Sequence, residues 1–279
     1  MENSLEGFLP GGETMAAGVV EAMRYSLTGG GKRIRPVLTM LSAELTGSSA
    51  ESVLKAAAAI EMIHSCSLIL DDLPSMDNAT VRRGKPVLHM HAGEATAVLA
   101  AYGLLMRAFE LLGEEMESHK LASLAASSVL RDAANCVGVG GMIGGQWRDL
   151  NPGSKDFEVL EYIHSHKTGS LFILSATLGA RLAGAKDSQV ECLASYAKNL
   201  GLAFQIVDDV MGHELPAGQL GKDGADGPGK VTFVSTIGVE SSRAVAEDLV
   251  HTAKLSLESF GKQAGDLHSL ADYVIKRGR

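Results

Sequence analysis

The chain has 279 residues, of which 46% are hydrophobic and 21% charged, and its formal net charge is −8 at pH 7. The hydrophobic fraction is enough for a sizeable core. The acidic balance argues against nucleic acid as a partner, because phosphate backbones call for clustered Lys and Arg. We recognise no signal peptide and no run of about 18 apolar residues, so we expect no transmembrane segment. We expect a cytoplasmic location, or a plastid one if a transit peptide has been removed.

The first two predicted helices are separated by a glycine-rich break. The segment AAGVVEAMRYSL places Val19, Ala22 and Met23 on one face at helical spacing, and TGGGK interrupts the pattern. The segment RPVLTMLSAELTG then predicts a helix between the start signal of Pro36 and the stop signal of Gly47.

The rest of the chain repeats the 3.6-residue pattern, most clearly in SSAESVLKAAAAIEMIHSCSLILDD, GEATAVLAAYGLLMRAFELLG, EVLEYIHSHKTGSLFILSATLGARLAG, SQVECLASYAKNLGLAFQIVDDV and SRAVAEDLVHTAKLSLESFG. No segment shows the alternation of a half-buried strand. Many of these helices are apolar around most of their circumference, which is typical of the middle of a large bundle. We therefore predict an all-α fold in a single domain over residues 1–279. Residues 212–231 are rich in Gly and Asp without periodicity, and they are long enough for a functional lid.

Three aspartates surround a proline at the end of one long apolar helix. Asp71 and Asp72 close the helix, and Pro74 disfavours helical geometry at Leu73, so the chain turns there and brings Asp77 back. Three carboxylates at a helix end suit Mg²⁺, which keeps coordination positions for a phosphate ligand. The alternative is a solvated helix end with ordinary turn acids, although Asp at a helix C-terminus opposes the macrodipole.

A second pair of aspartates, Asp208 and Asp209, follows the apolar stretch AFQIV. Gln205 and Asp209 are four residues apart and share a helix face, and Asp208 faces Gly212 in the same way. Because Gly212 has no carboxylate, the sequence predicts one complete metal site and one that has lost a ligand.

Basic residues accompany both acidic sites. They lie in GGGKRIRP (Lys32, Arg33, Arg35), RRGK (Arg82, Arg83, Lys85), HKTG (Lys167, followed by Thr168) and the predicted lid (Lys222, Lys230). Such groups would neutralise phosphate oxygens that magnesium does not reach. Each cluster alone is typical of a solvated surface, but together with acidic pairs on apolar helices they indicate a phosphate-binding site. A metal-dependent phosphohydrolase is an alternative, yet the apolar helices favour a substrate with a hydrocarbon tail.

Five segments together resemble the trans-isoprenyl diphosphate synthases, in the order and spacing of that family: MRYSLTGGGKRIRPVL, HSCSLILDDLPSMDNATVRRGKP, GGQWRDL, HKTGSLF and FQIVDD. The similarity runs from about residue 18 to the end. It implies a helical bundle around a deep central cavity, usually a homodimer, with two to three Mg²⁺ ions. The implied reaction is head-to-tail condensation of isopentenyl diphosphate with an allylic diphosphate, giving geranylgeranyl or farnesyl diphosphate.

The resemblance also implies roles for individual residues. The first metal motif would be Asp71, Asp72 and Asp77, and the second would be Asp208 and Asp209. Contacts to the allylic diphosphate would come from Arg82, Lys167, Thr168, Gln205 and Lys222, with Lys230 in the same lid. The isopentenyl diphosphate pocket would consist of Lys32, Arg35, His64 and Arg83. Gln146 and Asp149 match the family's GQxxDL element near the reacting ends. The resemblance makes Asp71, Asp72, Arg82, Lys167, Asp208 and Lys222 the catalytic set.

Product length in this family depends on the depth of the tail cavity. Cys66, five positions before the first motif, and Ser67 are both small, so the resemblance implies an open cavity floor and a C20 product. Tyr102 stands where the family usually has Asp, and its ring would either fill the tunnel or take the structural place of that Asp.

Departures from the family pattern keep other functions open. Gly212 replaces the last carboxylate of the second motif, which is also compatible with a weak regulatory subunit that pairs with an active synthase, a class I terpene cyclase, or a synthase of relaxed product length. The retained Lys32, Arg35, His64 and Arg83 favour elongation, because a cyclase has no need of an isopentenyl site.

Overall fold

Helices dominate the computed structural model, which describes residues 2–11, 15–154, 156–214 and 232–277. Within these ranges the strands are limited to a short antiparallel pair, β1 (Val81–Arg82) and β2 (Lys85–Pro86). The all-α prediction is therefore confirmed. Most of the predicted lid, including Lys222 and Lys230, lies outside the described residues.

The described helices are numbered in chain order. The first half contains α1 (Glu2–Leu5), α2 (Ala17–Leu27), α3 (Ile34–Leu45), α4 (Leu54–Asp71), α5 (Leu88–Ala92), α6 (Glu94–Ser118) and α7 (Ser123–Val137). The second half contains α8 (Met142–Leu150), α9 (Phe157–His164), α10 (Ser170–Leu182), α11 (Asp187–Glu214), α12 (Phe233–Ile237), α13 (Val239–Leu255) and α14 (Gly265–Lys276). Short 3₁₀ turns occupy Glu6–Phe8, Ala50–Val53 and Glu258–Ala264.

Two buried clusters form most of the described core. One lies where α4 packs against α6 and includes the fully buried Ala56, Ala58 and Ala59. The other lies between α10, α3 and α11 and includes Phe172 and Tyr196. The small alanine side chains let α4 lie among its neighbours on all sides, as expected for a helix without a polar face. The carboxyl ends of α4 and α11, which carry the two aspartate pairs, are thus anchored in the core.

Two segments, Ala50–Asp71 and Glu94–Ser118, are long and apolar enough to cross a membrane by length and composition alone, although we expected no such segment from the sequence. The first is mostly buried within the fold, and the second packs along it. Core helices of soluble proteins share these properties, so both segments are weak evidence for a membrane span.

One predicted helix is interrupted at its functional residues. The segment EVLEYIHSHKTGSLFILSATLGARLAG forms α9 and α10 joined by a single π-helical turn, Ser165–Gly169. Such turns widen a helix locally and are frequent at functional sites. This turn contains Lys167 and Thr168.

Candidate active site

The chain folds back directly after α4. The backbone N–H of Asp77 donates to the carbonyl of Asp71 at 2.9 Å, and the carbonyl of Leu73 accepts from the N–H groups of Met76 and Asn78. Asn78 has a positive φ of 49°, which Asn tolerates better than most residues. The turn returns Asp77 towards the end of α4, next to Asp71.

Asp72 is fully engaged by an arginine. Nε of Arg82 donates to both carboxylate oxygens of Asp72, at 2.9 and 2.8 Å, and Nη2 donates to Oδ1 at 2.6 Å. Burial alone would lower the pKa of Arg82, but the hydrogen bonds and charge of Asp72 more than offset this and raise it. Asp72 is buried, so the pair fixes the β1 strand against the end of α4.

Asp71 is less well compensated. Burial raises its pKa, and the carboxylates of Asp77 and Asp72 add to the rise, while Lys167 and Arg82 oppose it. The Nζ of Lys167 is 3.8 Å from Oδ2 of Asp71 and only 2.8 Å from Oδ2 of Asp149. A buried carboxylate whose ionised form is disfavoured in this way attracts a further cation.

These donors fit magnesium when the substrate supplies part of the coordination shell. Within the described ranges no group of three or more His, Cys, Asp or Glu residues is placed to hold an ion, and Asp72 is paired with Arg82. Mg²⁺ in proteins commonly uses one or two carboxylates and takes its other ligands from phosphates and water. Asp77 is close enough to Asp71 to raise its pKa, so these two carboxylates are the candidates for such a pair.

The second aspartate pair divides into a structural and an accessible residue. Asp209 is buried and accepts from Nε2 of Gln205 at 2.9 Å and from the backbone N–H of Phe233 at 3.0 Å. Thr168 in the π turn donates to Oε1 of Gln205 at 3.2 Å. Asp209 thus ties α11 to α12 and to the π turn, whereas Asp208 remains 35% exposed.

Sequence reasoning missed the partner of Asp208. Arg277, directly after α14, places Nη1 2.9 Å from Oδ1 of Asp208 and donates from Nη2 to the carbonyl of Phe204 at 2.6 Å. Its guanidinium lies 3.5 Å from the centroid of the Phe204 ring. A lone arginine near the chain end carries no motif, so no sequence signal singled it out.

A cationic pocket surrounds His64. Nη1 of Arg35 lies 3.4 Å from Nε2 of His64, and burial lowers the pKa of Arg35 to about 10. Burial also lowers the pKa of His64 well below its usual value, and nearby guanidinium groups, foremost those of Arg35 and Arg83, lower it further. The imidazole is therefore neutral at physiological pH and accepts a hydrogen bond from Arg35.

The glycine-rich loop that precedes Lys32 lies against Arg83. Nη1 of Arg83 donates to the carbonyl of Gly30. Gly31 has a φ of +133°, and a Cβ there would lie 2.8 Å from Nη2 of Arg83, so only glycine permits this approach. Burial lowers the pKa of Lys32, and the charge of Arg277 lowers it further.

Two buried side-chain atoms near this site lack a hydrogen-bond partner among the described residues. Nε of Arg35 is buried without a hydrogen-bond partner in the described part of the chain, as is Oε1 of Gln146. Buried polar groups are seldom left unpaired, so such atoms call for a ligand or water. Arg33, which the sequence placed in the same basic cluster, is instead buried in an ion pair with Glu61.

Helix α8 delivers the GQxxDL element to the π turn. A Cβ on Gly145 would overlap the backbone nitrogen of Lys167, so glycine allows α8 and the turn to touch. Asp149 reaches Lys167 from this helix, and Gln146 lies against Met76, with 3.8 Å between Nε2 and Sδ.

The predicted chain-length residues occupy different surroundings. Cys66 is buried on α4, and burial raises the pKa of its thiol to about 12. Ser67 donates to the carbonyl of His64 at 2.8 Å. Tyr102 is 62% exposed on α6, so its ring does not fill the interior of its own chain.

Known proteins resemble this chain over almost its whole length. Residues 17–264 match the family described as polyprenyl synthetase. The geranylgeranyl diphosphate synthase of Cyanophora paradoxa is 41% identical, over 99% of this chain and 93% of that protein. A "heterodimeric geranylgeranyl pyrophosphate synthase large subunit 1, chloroplastic" of Arabidopsis thaliana is 40% identical, over 92% of this chain and 71% of its own length.

A solved structure agrees with the fold. The crystal structure of a geranyltransferase from Helicobacter pylori, complexed with magnesium and isoprenyl diphosphate, superposes with a TM-score of 0.87 at 29% identity, covering 98% of this chain and 95% of that one. The resemblance inferred from the motifs is confirmed by both kinds of comparison. The chain belongs to the polyprenyl synthetase family.

Proposed function

We propose that the protein is a prenyltransferase that joins isopentenyl diphosphate head to tail with an allylic diphosphate. The observation that carries this proposal is the set of cationic side chains around the neutral His64, which the chain has in addition to the carboxylates of Asp71 and Asp77. Elongation needs two diphosphate sites of different character, and a class I terpene cyclase needs only the metal-binding one. The relatives named for prenyl diphosphate synthesis support elongation over the cyclase and over a weak subunit.

At the first site, Asp71, Asp77 and Asp208 would hold Mg²⁺, which supplies charge neutralisation of the leaving diphosphate when bound. Lys167 is placed to donate a hydrogen bond to that diphosphate from the edge of the π turn, while Asp149 keeps its amine in position. Thr168 and Gln205 belong to the same hydrogen-bonded wall. Fixed donors of this kind stabilise the charge that develops as the allylic C–O bond ionises.

At the second site, Lys32, Arg35 and Arg83 would bind the isopentenyl diphosphate without a metal. The neutral His64 adds no charge but holds Arg35 in place. The double bond of isopentenyl diphosphate then attacks the allylic cation, and the proton lost from the new chain passes to the departing diphosphate. The apolar residues of α4 below Asp71 exclude water from the cation.

A product of C20 length is supported by the small side chains of Cys66 and Ser67 one turn below Asp71. The name of the Cyanophora relative is consistent with this length. A farnesyl product is the second candidate. Product length depends on the volume of the side chains that end the tail cavity, and a bulkier side chain there would stop the chain at C15.

A homodimer is supported by an exposed apolar stripe on α6. Leu99, Tyr102 and Met106 lie three and four residues apart, share one helix face, and are 56%, 62% and 53% exposed. Apolar residues exposed at this spacing usually face a partner. A second copy would bury Tyr102 at that interface. A related synthase as partner is the alternative, because the Arabidopsis relative is named as a heterodimeric subunit.

Location stays a prediction. We propose a cytoplasmic protein, with a plastid location as the alternative because the Arabidopsis relative is named as chloroplastic.

Metal-free binding tests the two-site proposal. Isopentenyl diphosphate should bind the protein in EDTA, whereas an allylic diphosphate should require Mg²⁺. Arg35→Met should weaken isopentenyl diphosphate binding by about 2–4 kcal/mol, the cost of removing one partner of a buried charge-assisted contact. Isothermal titration calorimetry measures both.

Arg181→Met is the matched control. Arg181 lies in the last turn of α10 and pairs with Asp132 of α7, so this variant also removes one partner of an ion pair. It should leave both affinities unchanged. Isopentenyl diphosphate binding that needs Mg²⁺, or that survives Arg35→Met, would contradict the second site and favour a cyclase.

A further inference from the structure

The accessible carboxylate of the second motif already has a cation beside it. Arg277 holds Oδ1 of Asp208 at 2.9 Å, and its side chain is only 5% exposed. The stacking on Phe204 and the bond to the Phe204 carbonyl keep the guanidinium in place independently of Asp208. Arg277 is thus held in place beside the second acidic motif.

The surroundings of this pair are positive. Arg277 lowers the pKa of Lys32 and of Arg35, and Asp208 raises both, so the two cations lie within electrostatic range of this pair. Phe204 contacts both arginines, since the Arg35 guanidinium lies 5.7 Å from the centroid of the same ring. The carboxylate oxygens of Asp209 are less available as metal ligands, because they accept hydrogen bonds from Gln205 and Phe233.

A free divalent cation therefore meets opposition at Asp208. The guanidinium already satisfies one carboxylate oxygen, and a metal on the same carboxylate would be repelled by it and by Lys32. A diphosphate reverses this balance, because its negative charges attract both the metal and the displaced guanidinium.

We propose that Arg277 is a positioning residue that competes with free Mg²⁺ for Asp208 and yields it only when a diphosphate is bound. This inference rests on the proposed function. The first acidic motif differs, because Lys167 keeps its shorter bond to Asp149 and leaves the charge of Asp71 poorly compensated. Metal would thus bind to the two motifs in order. Free metal would bind at Asp71 first, and a later metal would bind at Asp208 together with diphosphate.

Manganese titration followed by electron paramagnetic resonance tests this directly, because free Mn²⁺ is counted without any turnover. Wild-type protein and Arg277→Met would be titrated with and without inorganic pyrophosphate. Without pyrophosphate, Arg277→Met should gain an Mn²⁺ site that binds roughly tenfold or more tightly than in wild type, the usual size of a coupling between two ligands. The gain should disappear in Asp208→Asn/Arg277→Met, and it should shrink when pyrophosphate is present.

Lys254→Met is the matched control. Lys254 pairs with Asp272 and ties α13 to α14, so this variant loosens the C-terminal helix without touching Asp208. It should not gain Mn²⁺ affinity. An equal gain in Lys254→Met, or no gain in Arg277→Met, would overturn the inference.

Two further measurements keep the outcome decisive. If Arg277→Met does not fold, Arg277→Lys replaces it, and a gain of a few-fold is expected because lysine keeps the charge but not the planar fork. Unchanged Mn²⁺ affinity in that variant would overturn the inference. Product formation by the wild type separates the two claims: products without the Mn²⁺ gain would refute the role of Arg277 alone, and the gain without products would refute the proposed function alone.

Discussion

Replacing Asp71 by Asn is expected to abolish turnover and at the same time to stabilise the metal-free protein. Burial raises the pKa of Asp71 and outweighs the opposing charges of Lys167, at 3.8 Å, and Arg82, while the carboxylates of Asp77 and Asp72 add to the rise. Between the unfolded and folded pKa values the folded protein binds more protons, so the free energy of unfolding falls as pH rises through that window. At neutral pH the ionised Asp71 is therefore a cost to the fold.

The size of the effect follows from what Asn removes and keeps. Asn has the shape of Asp without its charge, and Lys167 keeps Asp149 as its partner at 2.8 Å. We expect a gain of about 1 kcal/mol, within the range of single stabilising changes, which is a rise of roughly 2–4 °C in Tm for a chain of this size. The rise should vanish as the pH falls below the ordinary Asp value of 3.8, where Asp71 becomes protonated in both states.

Thermal unfolding in EDTA at several pH values measures this, and Asp149→Asn is the matched control. Asp149 is well paired, so its loss should lower Tm. Mg²⁺ with pyrophosphate should raise the Tm of the wild type above that of Asp71→Asn, because binding to the folded state stabilises it. A lower Tm for Asp71→Asn without metal, or wild-type turnover by this variant, would refute the reasoning.

Three further changes test other parts of the account. Gly212→Asp should tighten Mn²⁺ binding in the presence of pyrophosphate, because a Cβ at Gly212 has no described neighbour within 4 Å and the new carboxylate faces Asp208. An unchanged titration would show that the missing ligand does not limit metal binding at this site. Cys66→Phe should shorten the main product from C20 to C15 at a cost of about 1–3 kcal/mol from overpacking, and mass spectrometry of the products would disagree if C20 persisted. Met106→Glu should convert a dimer to monomers in light scattering, whereas the control Leu255→Glu, at an exposed apolar residue that ends α13, should leave the dimer intact; a dimer that persists in Met106→Glu would place the interface elsewhere.

Much of the fold could be predicted from the sequence because helical periodicity is a local property. The long apolar α4 ends at Asp71, as the sequence indicated. The π turn at Ser165–Gly169 could not be foreseen, because it depends on how Gly145 of α8 packs against Lys167. Periodicity alone makes that segment one continuous helix.

Residue types in the basic clusters could be predicted from the sequence, but the partners of individual side chains could not. Arg35 lies 3.4 Å from His64, and the charge of Arg83 acts on the same imidazole. Arg33 carries the same charge but turns into the core to meet Glu61, and sequence spacing does not distinguish the two directions. These differences arise from tertiary packing.

Contacts with distant residues also make the two aspartates of the second motif differ from each other. Asp209 looks equivalent to Asp208 in the sequence, yet the N–H of Phe233, 24 residues later, claims one of its oxygens. Arg277 reaches Asp208 from the far end of the chain. Long-range contacts of this kind leave no local pattern.

The formation of longer prenyl diphosphates is the most direct measure of the central claim, that this chain elongates an allylic diphosphate. Purified protein would be incubated with labelled isopentenyl diphosphate, Mg²⁺ and each allylic primer in turn, and products would be identified by mass spectrometry before and after phosphatase treatment. The account predicts linear prenyl diphosphates that carry the label, with C20 as the main product. Cyclic hydrocarbons formed from a primer alone, or no product with any primer, would contradict it.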